Sequence, residues 1–319
     1  MGLIMVRDTA VIGSGYMGGG IAQILAFGGH SVKLADISAR IASDGVRRII
    51  EETVRFEAAG LFPAGSAVAV ETHVHAAATL EEAVAEADYI TEAVPENPDM
   101  KRSIIAAIER AAPASAIIAS NTSTIPISTL AEDLTHPERL IGAHFGNPVP
   151  FVPGVEVIPH AGTADSVIAA TIELLASCGK FPARASDVVG FVMNRLQFAL
   201  FHEATQLVES GAASITEIDT IVRTTFGFRL PMFGPFLIAD MAGLDVYASS
   251  YESLQRGFPE RFATPRLLQE QIDRGRLGTK SGGGFYDIEP DRVEALVDYR
   301  NRAYVLLQKL LDELGPAPV

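Results

Sequence analysis

The 319-residue sequence predicts a doubly wound, mostly parallel α/β sheet followed by a smaller all-helical C-terminal domain. Three observations carry this prediction. The first half alternates short β-branched runs with helical stretches, the pattern of βαβ units. A glycine-rich turn, Gly13-Ser14-Gly15-Tyr16-Met17-Gly18, joins the first run to the first helical stretch. After about Ser186 strand alternation stops and helical periodicity takes over. At about 150 residues per domain the length fits two domains, and the change of pattern divides them into 1–186 and 187–319.

In chain order, strands are expected at Thr9–Gly13, Ser31–Asp36, Val68–Val74, Asp88–Ala93, Ala116–Ser120, Leu140–Phe145 and Val155–Pro159. Helices are expected between them at Met17–Phe27, Ala39–Ala59, Pro98–Ala111 and Ala164–Ser177. The apolar run Ala116-Ile117-Ile118-Ala119 suits a strand covered on both faces. On the third strand His73 and His75 share a face, but no Cys or carboxylate cluster accompanies them, so a zinc site is not expected. Beyond Gly190, Leu196, Leu200, Ala204 and Leu207 form one stripe of a helix over 192–210. Further helices are expected at Ser214–Thr225, Phe236–Ser253, Pro265–Arg274 and Asp291–Leu314, with a frayed tail after Gly315.

Composition narrows the partners. The chain carries 25 Lys and Arg against 39 Asp and Glu, a formal charge of −14, which repels nucleic acid and anionic membranes. No stretch approaches the roughly 18 apolar residues of a membrane span. The amino terminus is expected to carry no signal peptide, and Gly2 no myristoyl group, because Val6 stands where Ser or Thr is wanted. A single cysteine, Cys178, excludes an intramolecular disulfide and fits a reducing, cytoplasmic setting as a small core residue.

The glycine turn has a chemical reading. Gly13 permits the tight turn, Gly15 admits a pyrophosphate to the backbone, and Gly18 lets the helix pack on the strand. The helix N-terminus, beginning at Tyr16 and Met17, then faces the phosphate. Asp36 ends the second strand, where a carboxylate binds a ribose 2′-hydroxyl and repels a 2′-phosphate. This favours NAD over NADP on a Rossmann-type domain, with Arg40 as the one nearby cation. FAD shares the fingerprint. His144 ends a strand at the sheet edge where such domains bind ligands, and a neutral imidazole there can take a hydroxyl proton. Glu156 at the start of the next strand could orient it, or could be a strand-edge charge.

From these residues outward the chain resembles the 3-hydroxyacyl-CoA dehydrogenase family over nearly its whole length. The ordered blocks are GSGYMGGGIAQ from Gly13, EAVPEN from Glu92, SNTST from Ser120, HFGNPVP from His144, VEVI from Val155, GFVMNRLQ from Gly190 and GTKSGGGFYD from Gly278. The resemblance implies an NAD-dependent oxidoreductase that interconverts a 3-hydroxyacyl compound of the L form and its 3-keto partner. It implies His144 as the base, Glu156 as its orienting acid, Ser123 near the substrate hydroxyl and nicotinamide, and Asn194 reaching the site from the second domain. It also implies Glu96, Lys101, Asn147 and Lys280 at the cofactor, and a helical half that closes over the substrate and forms a homodimer. Read without the family, Ser123 and Asn194 could cap helices, Lys101 could be a solvated helix face, and Glu92 a structural acid.

Departures from the family bear on the substrate. Acyl-CoA members carry lysines in the helix after the second strand, whereas Glu51–Ala59 here is acidic and lysine-free. Gly146 replaces a bulky aromatic, which is expected to enlarge the pocket. The run Phe151-Val152-Pro153-Gly154 resembles relatives that oxidise free hydroxy acids, such as L-gulonate dehydrogenase (lambda-crystallin). A CoA thioester such as 3-hydroxybutyryl-CoA and a small free acid such as L-gulonate or L-carnitine both stay open as substrates. A non-catalytic NAD-binding structural protein is the alternative from another class.

Overall fold

In the computed structural model residues 6–318 are described, so the stretch read for Gly2 lies outside them. The chain divides into two compact units, residues 1–202 and 203–319.

The first unit is built on an eight-stranded sheet. Its elements run β1 (Asp8–Ile12), α1 (Tyr16–Phe27), β2 (Ser31–Ala35), α2 (Ala39–Ala58), α3 (Ser66–His73), β3 (Val74–Ala76), α4 (Leu80–Val84), β4 (Tyr89–Glu92), α5 (Pro98–Ala111) and β5 (Ile117–Ser120). They continue as α6 (Ile127–Ala131), β6 (Leu140–Phe145), β7 (Gly154–Ile158), α7 (Asp165–Ser177) and β8 (Phe181–Arg184), and α8 (Met193–Glu209) begins in this unit. The strand order is β3-β2-β1-β4-β5-β6-β7-β8, and β6–β7 is the antiparallel step. This is the doubly wound, mostly parallel class that the sequence predicts. Side-chain alternation gives the sheet two apolar faces: Val11 and Ile117 point into one buried cluster, Ala10, Ile12 and Ile118 into the other. Cys178 packs at the edge of the first cluster, and burial pushes its thiol up to about 11.

Local chemistry sets the element ends. Ser38 accepts a hydrogen bond from the Ile41 amide to start α2, and Asn97 accepts from Met100 with Pro98 in the first turn of α5. The expected strand Val68–Val74 is instead helix α3, with β3 confined to Val74–Ala76. The cause lies eight to ten residues away, where the Glu57 carboxylate accepts the amides of Gly65 and Ala67 and so caps that helix. His73 therefore ends a helix and His75 lies on β3, so they do not share a strand face. Strand β8 was not expected. It carries Pro182 and is largely exposed, as an edge strand without alternation can be.

The second unit is helical: α9 (Ile215–Thr224), α10 (Phe226–Arg229), α11 (Pro235–Ala242), α12 (Leu244–Gly257), α13 (Arg266–Asp273) and α14 (Pro290–Leu314). Ser214 and Glu217 form a reciprocal capping box at α9. The single helix expected over 236–253 is split at Gly243, which has φ +102°. The Gly278–Asp287 block folds against buried Asp240, whose carboxylate accepts the Phe285 and Tyr286 amides. A Cβ at Gly278 would lie 2.1 Å from the Asp240 carbonyl oxygen, and one at Gly284 2.0 Å from its Oδ1. These two glycines are therefore required by close packing. Among the described residues no helix is long and apolar enough to cross a membrane.

Candidate active site

The glycine turn sits where β1, β2 and β4 end. Gly13 has φ +107°, and a Cβ there would lie 2.6 Å from the Ala93 carbonyl oxygen. A Cβ at Gly18 would lie 1.8 Å from the Gly13 carbonyl oxygen, whereas at Gly15 it would meet nothing within 4 Å. Gly13 and Gly18 thus serve packing, and Gly15 faces open space. The N-terminus of α1 has no side-chain cap and no acidic residue in its first turn, so its amides are free for an anion. Asp36 Oδ2 accepts from the Ser14 amide (2.6 Å) and hydroxyl (2.7 Å), and Oδ1 from the Ile37 amide (2.7 Å). Partial burial raises the Asp36 pKa, but these bonds and the Arg48 charge outweigh it and hold the carboxyl below its usual range.

A cleft of about 950 Å³ opens here, lined by Gly13, Gly15, Tyr16, Met17, Asp36, Glu96 and Ser123. Apolar Ile37, Leu80, Val94 and Ile104 add to its walls. An uncapped helix end, an ionised acid at a strand end and an apolar slot are what a dinucleotide requires. The fit to NAD is therefore direct.

Gly18 packs behind the turn, and Lys101 and Asn147 are not on the cleft lining. Lys101 is neither a solvated helix face nor a wall of the cleft. It is 1% exposed, and its Nζ donates to Glu92 Oε1 (2.8 Å) and to the Val94 carbonyl (3.0 Å). Glu92 is fully buried and also accepts from Ser120 Oγ (2.6 Å). Lys101 reaches the cleft through Glu96, 3.5 Å away. Glu96 Oε1 accepts from the Thr122 and Thr124 hydroxyls and from the Ser123 and Thr124 amides. Burial raises the Glu96 pKa, but hydrogen bonds from Thr122 and Thr124, the Lys101 charge and the Ser123 amide together bring it below its usual value. Glu96 thereby fixes the turn that carries Ser123.

His144 and Glu156 face one another across the antiparallel β6–β7 register. His144 Nδ1 lies 2.7 Å from Glu156 Oε2, with the two side chains 4% and 12% exposed. Glu156 Oε1 accepts the amides of Val192 and Met193 (both 2.9 Å), so it also closes the N-terminus of α8. Gly190 (φ +73°) and Phe191 (φ +48°) turn the chain into that helix. A positive φ is costly for a bulky residue such as Phe. Phe191 is fully buried, and its ring centroid lies 5.7 Å from that of His144. In a neutral imidazole whose Nδ1–H bonds to a carboxylate, Nε2 is the nitrogen left able to accept a proton.

Asn194 does not cap α8; its Nδ2 donates to the Ser123 carbonyl (2.7 Å). Nor does Ser123 cap the following helix, since the α6 amides of Ile127 and Ser128 bond to Asp187. Lys280 belongs to the second unit and pairs with Asp245 (2.7 and 2.9 Å). Gly146 does not enlarge a pocket: a Cβ there would lie 2.3 Å from Val152 Cγ1, so Val152 fills the space. Two residues near the site escaped sequence reasoning, Phe191 and Asn121. Asn121 lines the cleft, and its Oδ1 accepts the Phe145 amide (3.1 Å). Both stand inside recognisable blocks, but nothing in their spacing marks them.

Comparison with known families assigns both halves. The description "3-hydroxyacyl-CoA dehydrogenase, NAD binding domain" matches residues 8–188, and "3-hydroxyacyl-CoA dehydrogenase, C-terminal domain" matches 190–288. The chain belongs to the 3-hydroxyacyl-CoA dehydrogenase family. It is an NAD-dependent oxidoreductase of this type. It is 35% identical over 311 residues to 5-formyl-3-hydroxy-2-methylpyridine 4-carboxylate 5-dehydrogenase of Mesorhizobium japonicum, covering 97% of this chain and 99% of that one. It is 35% identical over 285 residues to a probable 3-hydroxybutyryl-CoA dehydrogenase of Bacillus subtilis, covering 89% and 98%. Among solved structures, the 3-hydroxyacyl-CoA dehydrogenase of Archaeoglobus fulgidus superposes with a TM-score of 0.79 at 30% identity, over 97% of this chain and 99% of that one.

Proposed function

We propose that this chain oxidises the hydroxyl of a small free hydroxy acid to a ketone, with His144 as general base. The observation that carries the proposal is the 2.7 Å bond between His144 Nδ1 and Glu156. The O–H proton of the substrate passes to His144 Nε2 as the C–H electron pair leaves as hydride. Bound NAD supplies the hydride acceptor. Glu156 holds the ring and stabilises the imidazolium, and the two α8 amides hold Glu156 in turn. Ser123 and Asn194 position the hydroxyl and the developing alkoxide. Gly13, Gly15, Tyr16, Met17 and Asp36 hold the cofactor, with Glu96 beside them.

The α2 segment supports a substrate without coenzyme A. The cation of residues 51–59, Arg55, lies 3.9 Å from Glu52 and over the Phe56 ring at 5.2 Å. Phe56 in turn packs on Phe62 and Phe151. No ammonium group stands there for a nucleotide phosphate, and Glu51 and Glu52 oppose one. A relative matched over nearly the whole chain is named for a pyridine carboxylate. A 3-hydroxyacyl-CoA thioester is the second reading, favoured by the relative named for 3-hydroxybutyryl-CoA. The same proposal has the enzyme in the cytoplasm as a homodimer; exposed Leu306, Leu310 and Leu314 of α14 support association through the helical unit.

Initial rates of NADH formation decide between the substrates. We expect kcat/KM for at least one of L-gulonate, L-carnitine and L-3-hydroxybutyrate to exceed that for L-3-hydroxybutyryl-CoA by about tenfold, the scale of a lost or opposed charged contact. The reverse ratio makes the thioester the substrate and places its nucleotide on other residues.

A further inference from the structure

The glycine run continues past its fingerprint through Gly19 and Gly20, and the pyrophosphate chemistry above gives no reason for Gly19. The structure supplies one. A Cβ at Gly19 would lie 3.3 Å from Arg48 Nη2, and that nitrogen donates to the carbonyl oxygens of Ser14 (2.5 Å) and Gly15 (3.2 Å). One turn earlier on α2, a Cβ at Gly45 would lie 2.6 Å from Ser14 Cβ, so the helix sits directly against the turn. Among the described residues Arg48 has no carboxylate within ion-pair distance. Its Nη2 is spent on the two carbonyls of the phosphate-binding turn.

We propose that Arg48 is a positioning residue for the cofactor, aiming the amides of the glycine turn at the pyrophosphate. The reason lies in peptide geometry. In a planar trans peptide the carbonyl of one residue and the N–H of the next point in opposite directions. Pinning the Ser14 carbonyl aims the Gly15 N–H away from Arg48, and pinning the Gly15 carbonyl does the same for Tyr16 N–H. Those amides stand at the uncapped start of α1. Asp36 holds the same turn through the Ser14 amide and hydroxyl. The guanidinium also adds positive charge beside an anion site in a chain of net charge −14. Gly19 leaves room for Arg48 Nη2 and Ile49 alike, and Gly45 lets α2 lie against Ser14.

The test reads binding without substrate, so its failure leaves the His144 proposal untouched. Calorimetric titration with NAD⁺ and ADP-ribose, and an NMR titration with adenosine, are compared for the parent, Arg48→Met and Arg48→Lys. We expect Arg48→Met to weaken NAD⁺ and ADP-ribose by about tenfold or more while adenosine, which has no phosphate, stays within about twofold. Arg48→Lys should fall between, since it keeps the charge and loses the fixed planar placement of Nη2. Unchanged NAD⁺ affinity in Arg48→Met overturns the proposal. Parallel loss of adenosine binding also overturns it, because that marks general loosening of the domain.

Discussion

Replacing His144 with Gln is expected to lower kcat by about 100-fold or more while NAD⁺ binding stays within about twofold of the parent. The first figure is the size of a lost general base; the second follows because His144 is not on the lining of the dinucleotide cleft. Gln retains bulk and a hydrogen-bonding end, so Glu156 keeps the α8 amides and can keep a side-chain partner. What disappears is the ability to carry a proton at Nε2. Steady-state turnover with calorimetric NAD⁺ titration separates the two effects. A variant with near-parental turnover removes His144 from the chemistry, and one that fails to bind NAD⁺ shows that the substitution has disturbed the domain.

Lys101→Met should strongly destabilise the first unit. It leaves the Glu92 carboxylate, fully buried at the end of β4, with the Ser120 hydroxyl and the Val94 amide as neutral partners. Removing one partner of a buried ion pair costs about 3–5 kcal/mol, because the other charge remains without compensation. At roughly 2–4 °C per kcal/mol for a domain of this size, the melting temperature falls by roughly 6–20 °C. The double variant Lys101→Met/Glu92→Gln should recover part of that loss, since the stranded charge is gone. Calorimetric melting of the three proteins checks both statements. A shift of a degree or two for Lys101→Met shows that the pair contributes little to stability.

The sheet was legible because its signals are local. β-branched runs, a glycine turn after the first strand and Asp36 at the end of the second need no distant partner to be read. The departures arise where a distant group decides. Residues 66–73 form a helix because Glu57 caps them, and Pro182 joins a sheet because β7 has a free edge. Gly146 looked like a space-making change, yet Val152 fills that space from six residues away. The site divides in the same way. His144 and Glu156 could be named from the sequence, but the bond between them depends on an antiparallel register that spacing does not reveal. The second task of Glu156, closing α8, was invisible because the Val192 and Met193 amides lie more than 30 residues along the chain. For Lys101 the resemblance implied a place at the cofactor and helix position alone allowed a solvated face; neither reading could see the buried Glu92 that it pairs with.

If hydride leaves the hydroxyl-bearing carbon directly while His144 takes the proton, a label on that carbon must follow the hydride. The measurement uses the preferred hydroxy substrate with deuterium on that carbon and follows the label by mass spectrometry during turnover with NAD⁺. Deuterium is expected in the NADH, in equal amount to the ketone formed, with the parent protein, and about 100-fold less of both per unit time with His144→Gln. Ketone formed with the label released to water, or equal label transfer by the His144→Gln variant, would contradict this mechanism.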